Sequence, residues 1–488
     1  MKFPAALFAA ALGLLPAGAF GDGNPWYQSD VPPEELRARW EKVFAKIGEK
    51  SVALVAGASP SGGFVFPRQS NDFYYLCGVE TPGAYILLDG RIRKATLFLP
   101  PRNARLEAAE GKVLSAGDPD LVRRLTGVDA VASTETMRGE WLGVAPDGVP
   151  ESVWTPFAPA EQSAEQRWEL TARNAAIAGD FWDGRLSRES RLVELLRART
   201  ARGAAAGTVR DLTPILDEMR SVKSPREVAL IRRASQLAGM GLLEAMRSTR
   251  PGVFEYQLDA AARYVFLVHG ARLEGYRSIT AAGTENIWNM HYYRNNAELK
   301  AGDLVLMDYA PDYRYYTSDI ARVWPVSGKY TAPQRELLGF VLAYRNAILS
   351  RIRPGVTAKQ IQEEAKAAME AVFASTRFSK PVYEQAARKL VETGGGVFSH
   401  PVGLAVHDDG GYADRPLEPG VVFSVDPQLR VPEENIYLRY EDVVTVTPSG
   451  VENFTDFLPS DLASIERAVG GGGILQRFPP GSGGAPAR

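Results

Sequence analysis

Residues 304–322 read LVLMDYAPDYRYYTSDIAR, and the first apolar run in this stretch ends at Asp308. A second β-type run, predicted over 315–323, contains Asp319. If residues 311–314 form the loop of a hairpin, Asp308 lies opposite residue 317, and Asp319 follows on the same face. A carboxylate within an apolar strand is costly unless it is paired or binds a metal. The stretch therefore predicts a hairpin with two partnered carboxylates on one face.

Two later runs carry carboxylates in the same way. Asp426 follows the β-type run 421–425, and Glu441 follows the run 436–440. Because side chains alternate along a strand, Arg439 and Glu441 point to the same face. These positions add two carboxylates and one cation to the candidate site.

Three of the four histidines, His291, His400 and His407, fall in predicted strands or turns of the same half of the chain. Carboxylates and imidazole suit hard or borderline divalent cations, and a set without thiolate excludes a structural zinc–cysteine site. Bridging carboxylates can hold two metals about 3.5–4 Å apart. A single strand aspartate is more often a turn or edge residue, so the prediction of a metal site depends on the combination.

Helix start signals separate these strands. Ser224-Pro225-Arg226-Glu227 has the pattern of a capping box, and Thr331 and Thr357 each precede a glutamine by three residues in the same way. Helices thus alternate with hairpin-like strands over about 210–467. This pattern predicts an α+β domain and not a doubly wound parallel sheet.

The first part of the chain, residues 26–180, predicts a smaller α/β domain. Residues 32–47 have the apolar spacing of a helix, and strand-like runs follow, at 51–56, 85–88 and 95–99. Residues 151–171 are rich in Trp, Pro and Glu and predict a loop or linker. Residues 181–209 predict a helical linker to the second domain.

The two ends differ in composition from the rest. Residues 1–19 combine a lysine, a short apolar run and a small-x-small sequence, which predicts a signal peptide and an exported protein, periplasmic or secreted. No later run is apolar and long enough to span a membrane, so no membrane partner is expected. Residues 468–488 are rich in Gly and Pro and predict a disordered tail.

Charge and cysteine content narrow the classes of protein further. The 488 residues include 56 basic and 58 acidic side chains, for a net charge of −2, and no run of five or six like charges is present. This balance argues against nucleic acid as a partner. The single cysteine, Cys77, cannot form an intramolecular disulfide.

Taken in order, these residues resemble the pita-bread metallopeptidases, in the branch of Xaa-Pro aminopeptidase (aminopeptidase P) and Xaa-Pro dipeptidase (prolidase). The matching stretches are residues 219–224, 290–292, 307–309, 316–322, 399–403, 406–408, 419–427 and 438–442. Residues 68–78 resemble the non-catalytic N-terminal domain of aminopeptidase P. The resemblance implies a C-terminal pita-bread catalytic domain preceded by a smaller α/β N-terminal domain.

The resemblance also implies roles for the individual residues. Five of them would bind two divalent metal ions, commonly manganese: Asp308, Asp319, His400, Asp426 and Glu441, with Asp319 and Glu441 bridging. His291 and His407 would lie beside the substrate, and Arg439 would orient a ligand carboxylate. A metal-bound hydroxide would attack the carbonyl before proline in a peptide with proline at the second position. Members of the family are often homo-oligomers, so a homo-oligomer is expected.

Two departures from the family pattern leave alternatives open. The family has Glu where this chain has Asp426, and most members have His where it has Gly396. Gln428 also replaces a glycine that is usual in the family. The first interpretation is an aminopeptidase. The others are a dipeptidase or broader peptidase on the same fold, and a peptide-binding homologue whose catalytic site has decayed.

Overall fold

The computed structural model describes residues 27, 30–61, 63, 65, 67–138, 150–162, 166–200 and 207–478. The chain divides into two compact units, Met1–Thr155 with Leu195–Arg210, and Pro156–Glu194 with Asp211–Arg488. The predicted signal peptide lies outside the described residues. Within the described ranges, no helix has the length and apolar character needed to cross a membrane.

The first unit is a mixed sheet with helices. Its helices are α1 (Pro33–Ile47), α2 (Asn71–Cys77), α3 (Ala104–Glu110) and α4 (Pro119–Thr126). Its strands are β1 (Ser51–Ala56), β2 (Tyr85–Asp89), β3 (Lys94–Leu99), β4 (Ala130–Ser133), β5 (Ser152–Thr155) and β6 (Thr208–Asp211), in the order β4-β3-β2-β1-β5-β6. The predicted stripe of α1 is confirmed, because Leu36, Trp40 and Val43 are buried.

The prediction of a loop over 151–171 is wrong at both of its ends. Strand β5 pairs in parallel with β1, and its Val153 is fully buried. The next helix begins within the stretch, at Arg167. The four-residue strand lies among Pro and Glu residues, so its own pattern is too short to stand out, and its pairing with β1 stabilises it.

Among the described residues, the second unit holds the remaining helices and four small sheets. Its helices are α5 (Arg167–Gly179), α6 (Arg188–Thr200, which joins the units along the chain), α7 (Thr213–Ser221), α8 (Pro225–Ser248), α9 (Glu255–Val268), α10 (Gly283–Trp288), α11 (Ala332–Leu349), α12 (Ala358–Ser375), α13 (Pro381–Thr393), α14 (Leu462–Ala468) and α15 (Ile474–Arg477). The predicted capping boxes at Ser224, Thr331 and Thr357 are confirmed at the starts of α8, α11 and α12.

The strands of the second unit form small antiparallel sheets. They are β7 (Leu273–Glu274), β8 (Ile279–Ala282), β9 (Leu304–Asp308), β10 (Pro311–Asp312), β11 (Ala321–Pro325), β12 (Val397–Pro401), β13 (Val422–Val425), β14 (Gln428–Val431), β15 (Ile436–Arg439), β16 (Asp442–Thr447) and β17 (Gly450–Asn453). The sheets are β11-β9-β8, β12-β13-β16-β17, β14-β15 and β10-β7. Antiparallel sheets with separate helices confirm the α+β fold class.

The predicted hairpin exists, but its register and its second strand are different from the prediction. Asp308 pairs with Ala321, not with residue 317, and β11 begins only at Ala321. Asp319 therefore precedes the strand. The segment between is held by other bonds, because Asp312 accepts from the backbone N–H of Tyr315 and Thr317 donates its hydroxyl to the carbonyl of Pro311. These side-chain contacts compete with strand pairing and lengthen the connection.

The prediction of disorder is wrong for residues 468–478. Helix α15 lies against α8, where Gln476 donates to the carbonyl of Ser248 at 3.0 Å and the backbone of Leu475 donates to the Ser248 hydroxyl at 3.4 Å. The glycine-rich segment before it is also attached to α8, since the backbone N–H of Gly470 donates to the Met246 carbonyl at 3.1 Å. Residues 479–488 lie outside the described part of the chain.

Candidate metal centre

Three buried carboxylates converge in the second unit. Asp308 ends β9, Asp319 precedes β11 and Glu441 lies between β15 and β16. The backbones of Ala321 and Glu441 exchange hydrogen bonds of 3.3 and 3.0 Å, which bring the two segments together. Asp308, Asp319 and Glu441 each place a carboxylate oxygen within 4.8 Å of the others. The local fold therefore concentrates negative charge in a site from which water is largely excluded.

Two histidines approach the same cluster from the strand β12 and the loop after it. His400 Nε2 lies 3.2 Å from Asp319 Oδ2 and 3.9 Å from Glu441 Oε1. His407 Nε2 lies 3.7 Å from Asp319 Oδ2, and the two rings are 3.9 Å apart. Asp319 thus faces both the carboxylate group and the histidine group, the position that a bridging ligand would need.

Asp426 lies at the edge of this cluster. It follows β13, and its Oδ2 accepts a 2.5 Å hydrogen bond from Gln428 Nε2. Arg439 Nη1 is 3.9 Å from the same oxygen. Asp426 lies outside both groups of described residues whose oxygens and nitrogens approach within 4.8 Å. Its second oxygen, Oδ1, is buried without a hydrogen-bond partner among the described residues.

The local geometry explains why Gly396 and Gln428, two positions that differ from the family pattern, occur together. It has a φ of +82°, and a Cβ built on it would lie 2.0 Å from the Asp426 carbonyl oxygen and 2.8 Å from Gln428 Cγ. A histidine at this position would collide with both. The Gln428 side chain therefore occupies space that a side chain at 396 would need, and Gly396 and Gln428 are mutually compatible.

A cation and a phenol organise the carboxylates. The Arg439 guanidinium contacts Asp308 directly and lies 3.7 Å from Glu441 Oε2. The buried Tyr276 hydroxyl donates to Asp308 Oδ1 at 2.5 Å and also interacts with Asp319. Neither Tyr276 nor the supporting role of Gln428 was part of the sequence prediction. Tyr276 lies outside every predicted strand and far from its partners in sequence, so no local signal indicates it.

Burial perturbs the acid–base properties of the cluster. The pKa values of Asp319 and Asp426 are raised well above their ordinary range by burial and by repulsion from Glu441. Burial lowers the pKa of His400, and burial with the neighbouring His400 and His291 lowers the pKa of His407 to about 2. The cluster thus disfavours full ionisation when it has only the protein's own charges for compensation.

The donor set fits divalent cations. Buried carboxylate oxygens without hydrogen-bond partners, Asp426 Oδ1 and Glu441 Oε2 among the described residues, are available as ligands. The imidazoles are neutral at ordinary pH, as metal ligands must be. An added positive charge would offset the repulsion that raises the carboxylate pKa values. Oxygen and nitrogen ligands without thiolate suit Mn²⁺ or Zn²⁺.

His291 lies in the loop before β9, with part of its imidazole exposed to solvent. Desolvation and the charge of Arg439 lower its pKa, and the charges of Glu169 and Glu441 raise it. It is also close enough to His407 to lower the pKa of that residue. His291 is therefore within electrostatic range of His407 and Arg439, and its side chain is exposed to solvent.

The sequence matches two families, one in each unit. Residues 229–448 match metallopeptidase family M24, and residues 36–142 match the N-terminal domain of aminopeptidase P. The Xaa-Pro aminopeptidase of Escherichia coli K12 is 31% identical over 465 residues, covering 90% of this chain and 98% of its own. The structure of E. coli aminopeptidase P with the inhibitor Pro-Leu has a TM-score of 0.72 at 28% identity, covering 90% and 98% of the two chains.

Another similar structure, of Zn-substituted E. coli aminopeptidase P in complex with product, has a TM-score of 0.71 at 28% identity and covers 90% of this chain and 98% of that one. Fold, buried carboxylates and sequence together define a metallopeptidase, an enzyme that hydrolyses peptides. The chain belongs to metallopeptidase family M24, in its aminopeptidase P branch.

Proposed function

We propose that this chain is a Xaa-Pro aminopeptidase, which uses two divalent metal ions to release the N-terminal residue from peptides with proline in second position. The convergence of the Asp308, Asp319 and Glu441 carboxylates within 4.8 Å, with two histidines beside Asp319, carries this proposal. The names of the relatives support the substrate class. Their full-length match makes this activity a better candidate than another hydrolytic activity on the same fold.

The proposed metal ligands are Asp308, Asp319, His400, Asp426 and Glu441, with Asp319 and Glu441 shared between two ions. We propose manganese as the metal, since the set is dominated by oxygen ligands. When bound, such ions supply Lewis-acid polarisation of a carbonyl and activation of a water molecule. The assignment of Asp319 as a bridging ligand has the strongest support, because its carboxylate approaches both histidines, His400 and His407, as well as the other carboxylates.

His407 and His291 supply neutral imidazoles to the substrate side. Because burial lowers the pKa of both, each carries one N–H that can donate and one nitrogen that can accept at neutral pH. Proline's amide nitrogen has no N–H, so a Xaa-Pro bond offers only its carbonyl oxygen for recognition. A neutral donor aimed at that oxygen stabilises the negative charge that develops on it during attack.

Arg439 and Tyr276 hold the ligands in place. The guanidinium keeps Asp308 oriented and offsets part of the charge of Glu441. The Tyr276 hydroxyl fixes Asp308 Oδ1, which leaves the other Asp308 oxygen toward Arg439. Partners of this kind typically change metal affinity or activity by about 10–100-fold when removed.

The test is cleavage of defined peptides by chelator-treated protein before and after addition of metal. We expect release of the N-terminal residue from Xaa-Pro-Yaa, restored by Mn²⁺ and poorly by Ca²⁺, which prefers larger oxygen cages. Xaa-Ala-Yaa should be a poor substrate. Full activity of metal-free protein would refute the metal-dependent mechanism.

The same peptides separate the alternatives. Preference for Xaa-Pro dipeptides over Xaa-Pro-Yaa would indicate a dipeptidase, and equal cleavage of Xaa-Ala-Yaa a broader peptidase. The decayed-site alternative is favoured by the short side chain of Asp426. It predicts purification without stoichiometric metal and no cleavage of any of the three.

We also propose that the protein is exported and forms homo-oligomers. The signal-like sequence of residues 1–19 supports export. N-terminal sequencing of the protein from fractionated cells tests it, with a mature N-terminus close after residue 19 expected outside the cytoplasm. Light scattering of the purified protein tests the oligomer, with a single mass above that of one chain expected.

A further inference from the structure

Around the candidate metal centre, side chains near the start of α5 are more exposed to solvent than the proposed metal ligands are. Asp308, Asp319 and Glu441 are at most 4% exposed, whereas the side chains of His407 and Asp409 are 30% and 31% exposed. An aminopeptidase has only one residue before the scissile bond, so the rest of the peptide, of any length, has to extend from the buried carboxylates toward the more exposed residues, the open side of the site.

The start of α5 is fixed to this open side by ion pairs. Arg167, its first residue, lies 2.8 Å from Asp217 Oδ2, 3.3 Å from Glu161 Oε1 and 3.2 Å from Asp409 Oδ2. Arg220 extends the network, with a 3.1 Å contact to Glu161 and a contact to Asp408. Several of these groups are nearly inaccessible to water, so the network is a rigid attachment and not a surface contact.

Glu169 lies two residues after Arg167, in the first turn of α5. Asp408 and Asp409 directly follow His407, so the network sets the first turn of α5 beside the loop that carries this histidine. Glu169 and its neighbour Trp168 are both exposed. The Glu169 carboxylate is near enough to His291 for its charge to raise the pKa of that imidazole, against the larger lowering effects of desolvation and Arg439.

We propose that Glu169 is a specificity-determining residue on the open side of the site, where it meets the part of the peptide that follows proline. Its negative charge disfavours Xaa-Pro dipeptides, whose free carboxylate lies directly after the proline ring. The same charge favours longer peptides with a lysine or arginine directly after proline. This inference rests on the proposed function and names the substrate class within it.

The expected size of the effect follows from the exposure of the carboxylate. Exposed charge pairs are worth about two- to fivefold in binding at moderate salt, and screening reduces this as ionic strength rises. Arg173, one turn further along α5, is also exposed and offsets part of the field. Selectivity of several-fold, and not of orders of magnitude, is therefore expected.

The test measures kcat/KM for two pairs of peptides with the same first residue: Xaa-Pro against Xaa-Pro-amide, and Xaa-Pro-Lys-Ala against Xaa-Pro-Glu-Ala. We expect the Mn²⁺-loaded wild type to prefer the amide and the lysine peptide by about two- to fivefold. Glu169→Gln should bring both ratios close to one, and Glu169→Lys should invert them. Added salt should shrink the wild-type ratios and leave those of Glu169→Gln unchanged.

Glu370→Gln is the matched control, since it removes the same charge from an exposed position on α12. It should keep the wild-type ratios. If Glu169→Gln keeps them too while cleaving Xaa-Pro-amide normally, the inference is wrong and the proposed function stands. If the wild type cleaves none of the four peptides, the proposed function fails and this inference fails with it.

Discussion

At the scale of single residues, His400 and His407 differ in their distance from Asp319 and in their exposure to solvent. His400 lies on a strand, within 3.2 Å of Asp319, and its hydroxyl neighbour Ser424 lies at the same distance from its Nε2. His407 is further from Asp319, at 3.7 Å, and more exposed. The first therefore suits a metal ligand, and the second suits contact with substrate.

His407→Ala is expected to keep the bound metal and to lower kcat by about 100-fold or more, the scale of losing a proton-transfer or oxyanion partner. Metal content by mass spectrometry of the native protein and steady-state kinetics measure the two effects. His269→Ala is the control, because His269 is exposed at the end of α9 and its Nδ1 is 2.8 Å from the Val265 carbonyl oxygen. Loss of metal from His407→Ala would make His407 a ligand instead.

Gln428 compensates for the short side chain of Asp426 by holding its carboxylate in one orientation. Gln428→Ala should weaken the weaker of two metal-binding events by about tenfold and leave the stronger one intact. Isothermal titration of chelator-treated protein with Mn²⁺ measures both. Asp426→Ala should remove the weaker event altogether. If both variants bind two ions as tightly as the wild type, Asp426 is not a ligand and the decayed-site alternative gains support.

At the scale of elements, the buried carboxylate of Asp442 connects β16, β11 and α11 through hydrogen-bonded ion pairs. Asp442 begins β16 and accepts from Arg322 on β11 at 2.6 Å and from Arg345 on α11 at 2.7 Å. Arg322 also donates to the backbone carbonyl of Glu441 at 2.5 Å. The position of the candidate ligand Glu441 therefore depends on this ion network as well as on strand pairing.

Asp442→Asn should lower the free energy of unfolding by about 3–5 kcal/mol, because it leaves two buried guanidinium groups without their anion. Denaturant unfolding followed by fluorescence measures the change. Asp120→Asn, which breaks an exposed ion pair with Arg123 on α4, should cost less than about 1 kcal/mol. Equal effects of the two substitutions would show that the network contributes no more than a surface pair.

At the scale of the whole molecule, the proposed metal site is expected to couple metal binding to folding. The carboxylates come from β9, the segment before β11, the end of β13 and the β15–β16 junction, so the site exists only when these parts are assembled. A ligand that binds the folded state alone stabilises it by mass action. Repulsion among the buried carboxylates makes this stabilisation larger for a cation than for a neutral ligand.

Mn²⁺ at about 100 times its dissociation constant should stabilise the chelator-treated protein by about 2.7 kcal/mol, which raises Tm by about 3–4 °C for a unit of this size. Differential scanning calorimetry with Mn²⁺, with Ca²⁺ and with added chelator measures the shift. Asp319→Asn, which neutralises the proposed bridging carboxylate, should lose most of it. The absence of any shift with Mn²⁺ in the wild type would contradict a metal site of this composition.

Local sequence determined what depends on neighbours in the chain. The capping boxes before α8, α11 and α12 and the buried stripe of α1 follow from contacts three or four residues apart, which the sequence displays directly. The residue types suited to metal binding and their order are likewise visible in the chain. The family follows from them, and so do the two-domain architecture and the α+β class.

Tertiary structure alone decided how those residues meet. Asp319 lies before β11, and not within a strand as predicted, because side-chain bonds to Pro311 and Asp312 replace strand pairing in the connection. Tyr276 reaches Asp308 and Glu169 approaches His291 across long sequence separations, through packing that no local propensity encodes. Residues 468–478 are ordered by α8, which lies more than 200 residues away in the chain. Long-range packing, and not composition, sets distances, burial and the charge around each group.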